Sequence, residues 1–181
     1  MQMHRQQAIL HPWQMTTSPF DDMVLIEDTR QQAHKHIDKQ KYFKRAGITL
    51  VRSKLLVGDY QIAGKGNIAV DTKKDMLELF MDLGKDHKRF SRECQLAAQS
   101  GIKLVVLVEE PCPSKGLETW VSPVFKSSNS YHYAGEPKSK ANPATMKKIM
   151  QTMTKRYGVE FKFCRKADAG RHVIEILMGK E

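Results

Sequence analysis

The sequence predicts an α/β fold, a sheet packed with helices, on three observations. Segments with helical spacing alternate with short apolar runs along most of the chain. Residues 102–108 are almost continuous β-branched residues and leucine, as suits a strand buried on both faces at the centre of a sheet. The segment before them carries a helical stripe and ends at Gly101, as expected of a crossover between strands of one sheet.

Residues 1–22 hold Pro12, Trp13 and Pro19 among scattered polar residues without periodicity. They read as an N-terminal arm ahead of a domain formed by residues 23–181. Residues 23–26 form a short apolar strand that runs into Glu27, Asp28, Thr29 and Arg30. A carboxylate at a strand's end can reach a site beside the sheet, and Asp28 or Thr29 can equally cap the next helix. Residues 31–46 read as a polar helix closed by Gly47. Within it His34 and His36 are two apart and face different directions, which does not suit a metal pair. Residues 48–51 are the next strand and lead through Leu55, Leu56 and Val57 into a hairpin.

Beyond the hairpin, Asp75 stands where a helix should begin, and Gly84 interrupts that helix. A second helical stretch, residues 86–99, places Phe90, Cys94 and Ala97 on its inner face. Lys85, Lys88, Arg89 and Arg92 fall outside that stripe and form either a solvated charged face or a phosphate clamp. Residues 112–142 form a long basic loop rich in Ser, Pro, Gly and Lys, whose Trp120, Phe125, Tyr131 and Tyr133 anchor it to the body or stack on bases. Pro143 opens a helix to about residue 157, with Met146, Ile149, Met150 and Met153 on one side. A strand at residues 159–164 and a short helix at 171–178 close the chain.

The hairpin, residues 57–73, carries the chemistry. Alternation in its second limb turns Ile68 and Val70 one way and Ala69, Asp71 and Lys73 the other. Asp59 from the first limb can therefore meet Asp71 and Lys73. Two acids within reach repel unless a cation sits between them, and hard oxygen ligands suit Mg²⁺ or Mn²⁺. A lysine beside such an ion can hold water or neutralise a phosphate. An exposed hairpin with solvated charges fits the same spacing.

Composition narrows the choice. A net charge of +10 and a pI of about 9.5 point to a polyanionic partner, with nucleic acid the first expectation. Basic runs lie between Lys35 and Lys54 and again between Lys126 and Arg156, the latter including Lys138 and Lys140. No apolar run approaches the ~18 residues that span a bilayer, so no membrane partner is expected. The three cysteines, Cys94, Cys112 and Cys164, form no C-x-x-C pair and imply a reducing, intracellular setting.

Gly58-Asp59-Tyr60 followed by Val70-Asp71-Thr72-Lys73 resembles the GD…ERK signature of the XPF-type structure-specific endonucleases, in the PD-(D/E)xK superfamily. Asp28-Thr29-Arg30 is similar to the family's first-strand acid and following arginine. Arg89 through Cys94 is similar to its arginine-led helix. The resemblance covers residues 24–108 well and the C-terminal third loosely. It implies a mixed sheet flanked by helices, a restriction-endonuclease-like core. It implies Asp28, Asp59 and Asp71 around one or two Mg²⁺ or Mn²⁺ ions, with Lys73 orienting or activating the attacking water. Arg30 and Arg89 would touch phosphates, with Arg92, Lys138 and Lys140 as further DNA contacts from the basic segments. The implied activity is metal-dependent cleavage of branched DNA in recombination or repair; a non-cleaving DNA-binding scaffold is the alternative. The resemblance raises a homodimer as the acting form, in the cytoplasm of a bacterium or phage-infected host. The chain departs from the signature at Asp71, where glutamate is usual, and at Thr72, where arginine is usual. Leu77 stands where a further aspartate is expected.

Overall fold

The computed structural model describes residues 20, 22–30, 36–120 and 143–180. The readings for residues 1–19, His34, and residues 121–142 with Lys138 and Lys140 lie outside them. The apolar runs become six strands: β1 (Val24–Asp28), β2 (Thr49–Ser53), β3 (Tyr60–Ile62), β4 (Lys65–Lys73), β5 (Lys103–Val108) and β6 (Glu160–Phe163). They form one sheet in the order β2-β1-β3-β4-β5-β6. β1 pairs parallel with β2, and β4 with β5 and β5 with β6 likewise, whereas β3 is antiparallel to both its neighbours. The sheet is therefore mixed, with one reversed strand inside a parallel set.

The helices are α1 (Ile37–Arg45), α2 (Met76–Leu83), α3 (His87–Gln99), α4 (Pro143–Tyr157) and α5 (Ala169–Leu177). α1, the α2–α3 pair and α4 are the crossovers that parallel pairing requires. α1 and α5 cover one face of the sheet, over Leu25, Tyr60, Val70, Val105 and Leu107. α2, α3 and α4 cover the other, over Val57, Ala69, Leu104, Val106 and Val108. The alternation of β4 and β5 between these two cores is why β5 reads as continuously apolar.

Local signals explain the ends. Asp75 caps α2, its Oδ1 accepting from the N–H of Glu78 at 2.8 Å. Phe90, Cys94 and Ala97 are buried along α3. Trp120 is anchored: its indole N–H donates to Glu110 Oε1 at 2.7 Å and its ring meets Phe80 edge-on at 4.9 Å. One expectation is corrected. Neither Asp28 nor Thr29 caps α1, which starts at Ile37 after His36 with no side-chain cap bond; Asp28 serves a tight turn instead.

Candidate active site

Chain direction brings three strand ends together. Because β3 runs against β1 and β4, its N-terminal end lies beside their C-terminal ends. Asp28 ends β1, Asp59 immediately precedes β3, and Asp71 and Lys73 lie at the end of β4. The backbones are stitched: the Asp28 N–H donates to the Asp59 carbonyl, and the Asp59 N–H to the Val70 carbonyl, each at 2.8 Å. Tyr60 and Val70 enter the core under α1 and α5, so Asp71 and Lys73 share the opposite face with Ala69.

Gly58 makes the approach possible. Its φ is +72°, and a Cβ there would sit 3.0 Å from the Val70 carbonyl oxygen. Its N–H donates to Glu93 Oε1 of α3 at 3.0 Å. Gly58→Ala is expected to destabilise the protein by about 1–2 kcal/mol through strain at a left-handed position. Urea unfolding would measure this, and an unchanged midpoint would count against a tight turn.

The side chains form a chain of ion pairs. Lys73 Nζ lies 2.7 Å from Asp71 Oδ2 and 2.6 Å from Asp82 Oδ2, over the Phe90 ring. Asp82 Oδ1 accepts from Arg89 at 2.6 Å. Asp59 Oδ2 accepts from both the N–H and the hydroxyl of Thr72 at 2.7 Å. Thr72 thus supplies donors to an acid from the position where the signature has arginine. Asp28 is held by the Arg30 guanidinium at 2.8 and 2.9 Å, by the Arg30 N–H at 2.6 Å and by the Leu55 N–H at 2.8 Å.

Electrostatics separates these acids. Burial pushes the Asp28 carboxyl up, but the bonds from Arg30 and Leu55 outweigh it and the carboxyl sits below its ordinary value. Burial raises Asp59 despite the Lys73 charge and the Thr72 bonds. Burial pushes Asp71 up to about 8, against the Lys73 charge and with help from Asp59 and Glu93. Burial would lower Lys73, yet Asp71 and Asp82 more than compensate, so it is raised and holds its proton. Asp71 and Asp82 thus share Lys73, Asp82 also holds Arg89, and the charges of Asp59 and Glu93 reach both Asp71 and Arg30, so the Asp28–Arg30 pair is electrostatically joined to the cluster.

A sign follows for stability. Asp71 is raised from 3.8 to about 8 by folding, so its contribution is full below pH 3.8 and lost as pH rises through about 8. With chelator present, Asp71→Asn should gain stability relative to wild type between pH 6 and 9, at a slope of at most about 1.4 kcal/mol per pH unit. Parallel melts that keep a constant gap across that range would refute the shift.

Asp59, Asp71 and Lys73 come together, with Asp28 adjacent through the backbone. Arg30 and Arg89 are 56% and 60% exposed, each tethered by a buried carboxylate, and Arg92 is exposed on α3. Among the described residues no group of three or more His, Cys, Asp or Glu side chains is arranged to hold a metal ion. Sequence reasoning missed Asp82 and Glu93. Asp82 falls between Leu79 and Leu83 on the buried stripe of α2, and Glu93 lies one turn from Phe90 on α3; a carboxylate at such inward positions is the signal that marks them.

Residues 27–177 match the family described as the ERCC4 domain. Among solved structures, XPF from Aeropyrum pernix is similar at 14% identity with a TM-score of 0.56, covering 87% of this chain and 64% of that one. XPF from Aeropyrum pernix in complex with DNA is similar at 14% identity with a TM-score of 0.54, covering 88% and 66%. The chain thus spans slightly less than two thirds of either. At this identity the likeness shows the fold alone, a mixed sheet flanked by helices. No curated protein matches the chain.

Proposed function

The chain belongs to the ERCC4 domain family, and from that premise we propose that it is a metal-dependent DNA endonuclease acting on branched or otherwise structured DNA. The observation that carries the proposal is the buried cluster of Asp59, Asp71, Lys73 and Asp82 at one end of the sheet. Burying several acids together is costly unless they are paired or hold a cation, and Asp59 and Asp71 stay raised even beside Lys73.

The residues fit a divalent ion of the Mg²⁺ or Mn²⁺ kind. The donors are all carboxylate oxygens, and such an ion would favour the ionised forms of Asp59 and Asp71 that burial disfavours. Asp59 and Asp71 would hold it, with Asp28 available from the end of β1 once Arg30 exchanges that carboxylate for a phosphate. Once bound, the ion would neutralise phosphate charge and make bound water more acidic. Lys73 keeps its proton, so its part is to orient water and offset charge at phosphorus, while Asp82 fixes its position. Arg30 and Arg89, aimed by Asp28 and Asp82, are suited to phosphate oxygens beside the cut. Hydrolysis would break the P–O3′ bond, leaving a 5′-phosphate and a 3′-hydroxyl.

A second reading, a non-cleaving DNA-binding scaffold, draws on one specific observation. Asp28, Asp59 and Lys73 are already engaged by protein partners: Arg30 with Leu55, Thr72, and Asp71 with Asp82. Labelled duplex, single strand, flap, fork and four-way junction, incubated with Mg²⁺, Mn²⁺ or chelator, separate the two. Metal-dependent cutting of a branched substrate supports the nuclease. Tight binding of every substrate with no cutting supports the scaffold.

A further inference from the structure

Helix α3 has two flanks with different company. Arg89 and Glu93, four residues apart, face the carboxylate cluster through Asp82 and Gly58. His87 and Ser91, also four apart, lie roughly opposite at 3.6 residues per turn and face α4. Between these flanks, Lys88 and Arg92 form the solvent-facing crest.

The α3–α4 side is a groove with an apolar floor of Ile149 and Met153, and Lys148, Arg156 and Tyr157 on its α4 wall. It continues over the crest at Lys88 and Arg92. No carboxylate lines it, and among the described residues none of these four cations is in an ion pair. Neighbouring cations differ: Lys147 pairs with Glu118 at 2.8 Å and Arg89 with Asp82 at 2.6 Å. Four like charges left without acids on two packed helices repel one another and favour an extended polyanion. The floor and the half-buried Tyr157 ring, with the Arg156 guanidinium 5.3 Å from its centroid, offer apolar and stacking surface that exposed bases can use and a closed duplex cannot.

We propose that the groove between α3 and α4 seats a single-stranded DNA segment that leaves the cleavage site across the Lys88–Arg92 crest. The proposal rests on the nuclease reading and deepens it by naming the strand path and the unpaired state of that strand.

The test is binding of a labelled oligothymidylate and of a duplex of equal length, by fluorescence anisotropy over a salt series with chelator present. Lys148→Gln/Arg156→Gln should weaken oligothymidylate binding about tenfold or more and flatten its log–log salt slope by about 1.4, two contacts at about 0.7 each. Lys88→Gln/Arg92→Gln should do the same, a second pair on a different helix should either variant fold poorly. Duplex binding should change less. Wild-type binding with unchanged affinity and slope in both double variants overturns the groove and leaves the nuclease reading intact. Equal losses for duplex and single strand overturn the single-strand assignment. No DNA binding by wild type sinks the underlying reading along with the groove.

Discussion

Asp71→Ala is expected to abolish cleavage of the best branched substrate, lowering the rate on the order of 10³-fold or more while DNA binding persists. Asp71 is buried beside Asp59, and its ionised form is held by a single cation that Asp82 also claims. Removing its carboxylate takes away an oxygen donor and leaves Lys73 paired with Asp82 alone. Lys73→Ala should be about as damaging for a different reason, since it deletes the only buried cation among the described residues of the cluster. Asp71→Asn guards against the trivial explanation: it keeps the shape and should gain stability relative to wild type in chelator as pH rises toward 8, so activity lost by a variant that still melts cooperatively would be chemical. Single-turnover rates with Mg²⁺ and with Mn²⁺, beside anisotropy in chelator, measure both quantities. Cutting that survives Asp71→Ala would remove this cluster from the reaction.

Lys39→Ala should produce the largest loss of stability, about 3–5 kcal/mol, because it breaks a buried ion pair and leaves its partner uncompensated. Lys39 of α1 pairs with Glu109, just past β5, and both side chains are nearly inaccessible, at 4% and 5%. The charge of Glu109 reaches the Tyr60 hydroxyl, as does that of a second buried acid, Glu27, which accepts from Tyr60 at 3.0 Å and from Gln40 at 3.1 Å, with Arg52 at 3.3 Å. The Glu109 N–H also donates to the Lys73 carbonyl at 2.8 Å, so the pair abuts the backbone of the candidate site. Replacing both partners, Lys39→Met with Glu109→Leu, should recover most of the loss, since apolar pairs of similar volume tolerate such sites. Urea unfolding of the two single variants and the double variant gives the coupling directly. A single-variant cost under about 1 kcal/mol would mean that water reaches the pair.

Much of the fold is legible in the sequence because its signals are local. Residues 102–108 read as a strand buried on both faces from their own composition, and β5 has both faces against cores although it stands next to the edge strand β6 and not at the centre of the sheet. Asp75, Pro143 and the stripe of Phe90, Cys94 and Ala97 mark helices through capping, ring geometry and the 3.6 period, none of which needs a partner. The shared face of Asp71 and Lys73 follows in the same way from the period of two along β4. Tertiary structure alone decided the rest, because it depends on which strand ends meet and which helices pack beside them. The reversed direction of β3 put Asp28, Asp59 and Asp71 at one end of the sheet, yet Arg30 and the Leu55 N–H claimed Asp28, a competition no spacing reveals. Packing of α2 under β4 delivered Asp82 to Lys73 although Leu77 stands at the expected position. The Lys39–Glu109 pair joins residues seventy apart, and its energy lies in a desolvation that exists only once the sheet and α1 have closed over it.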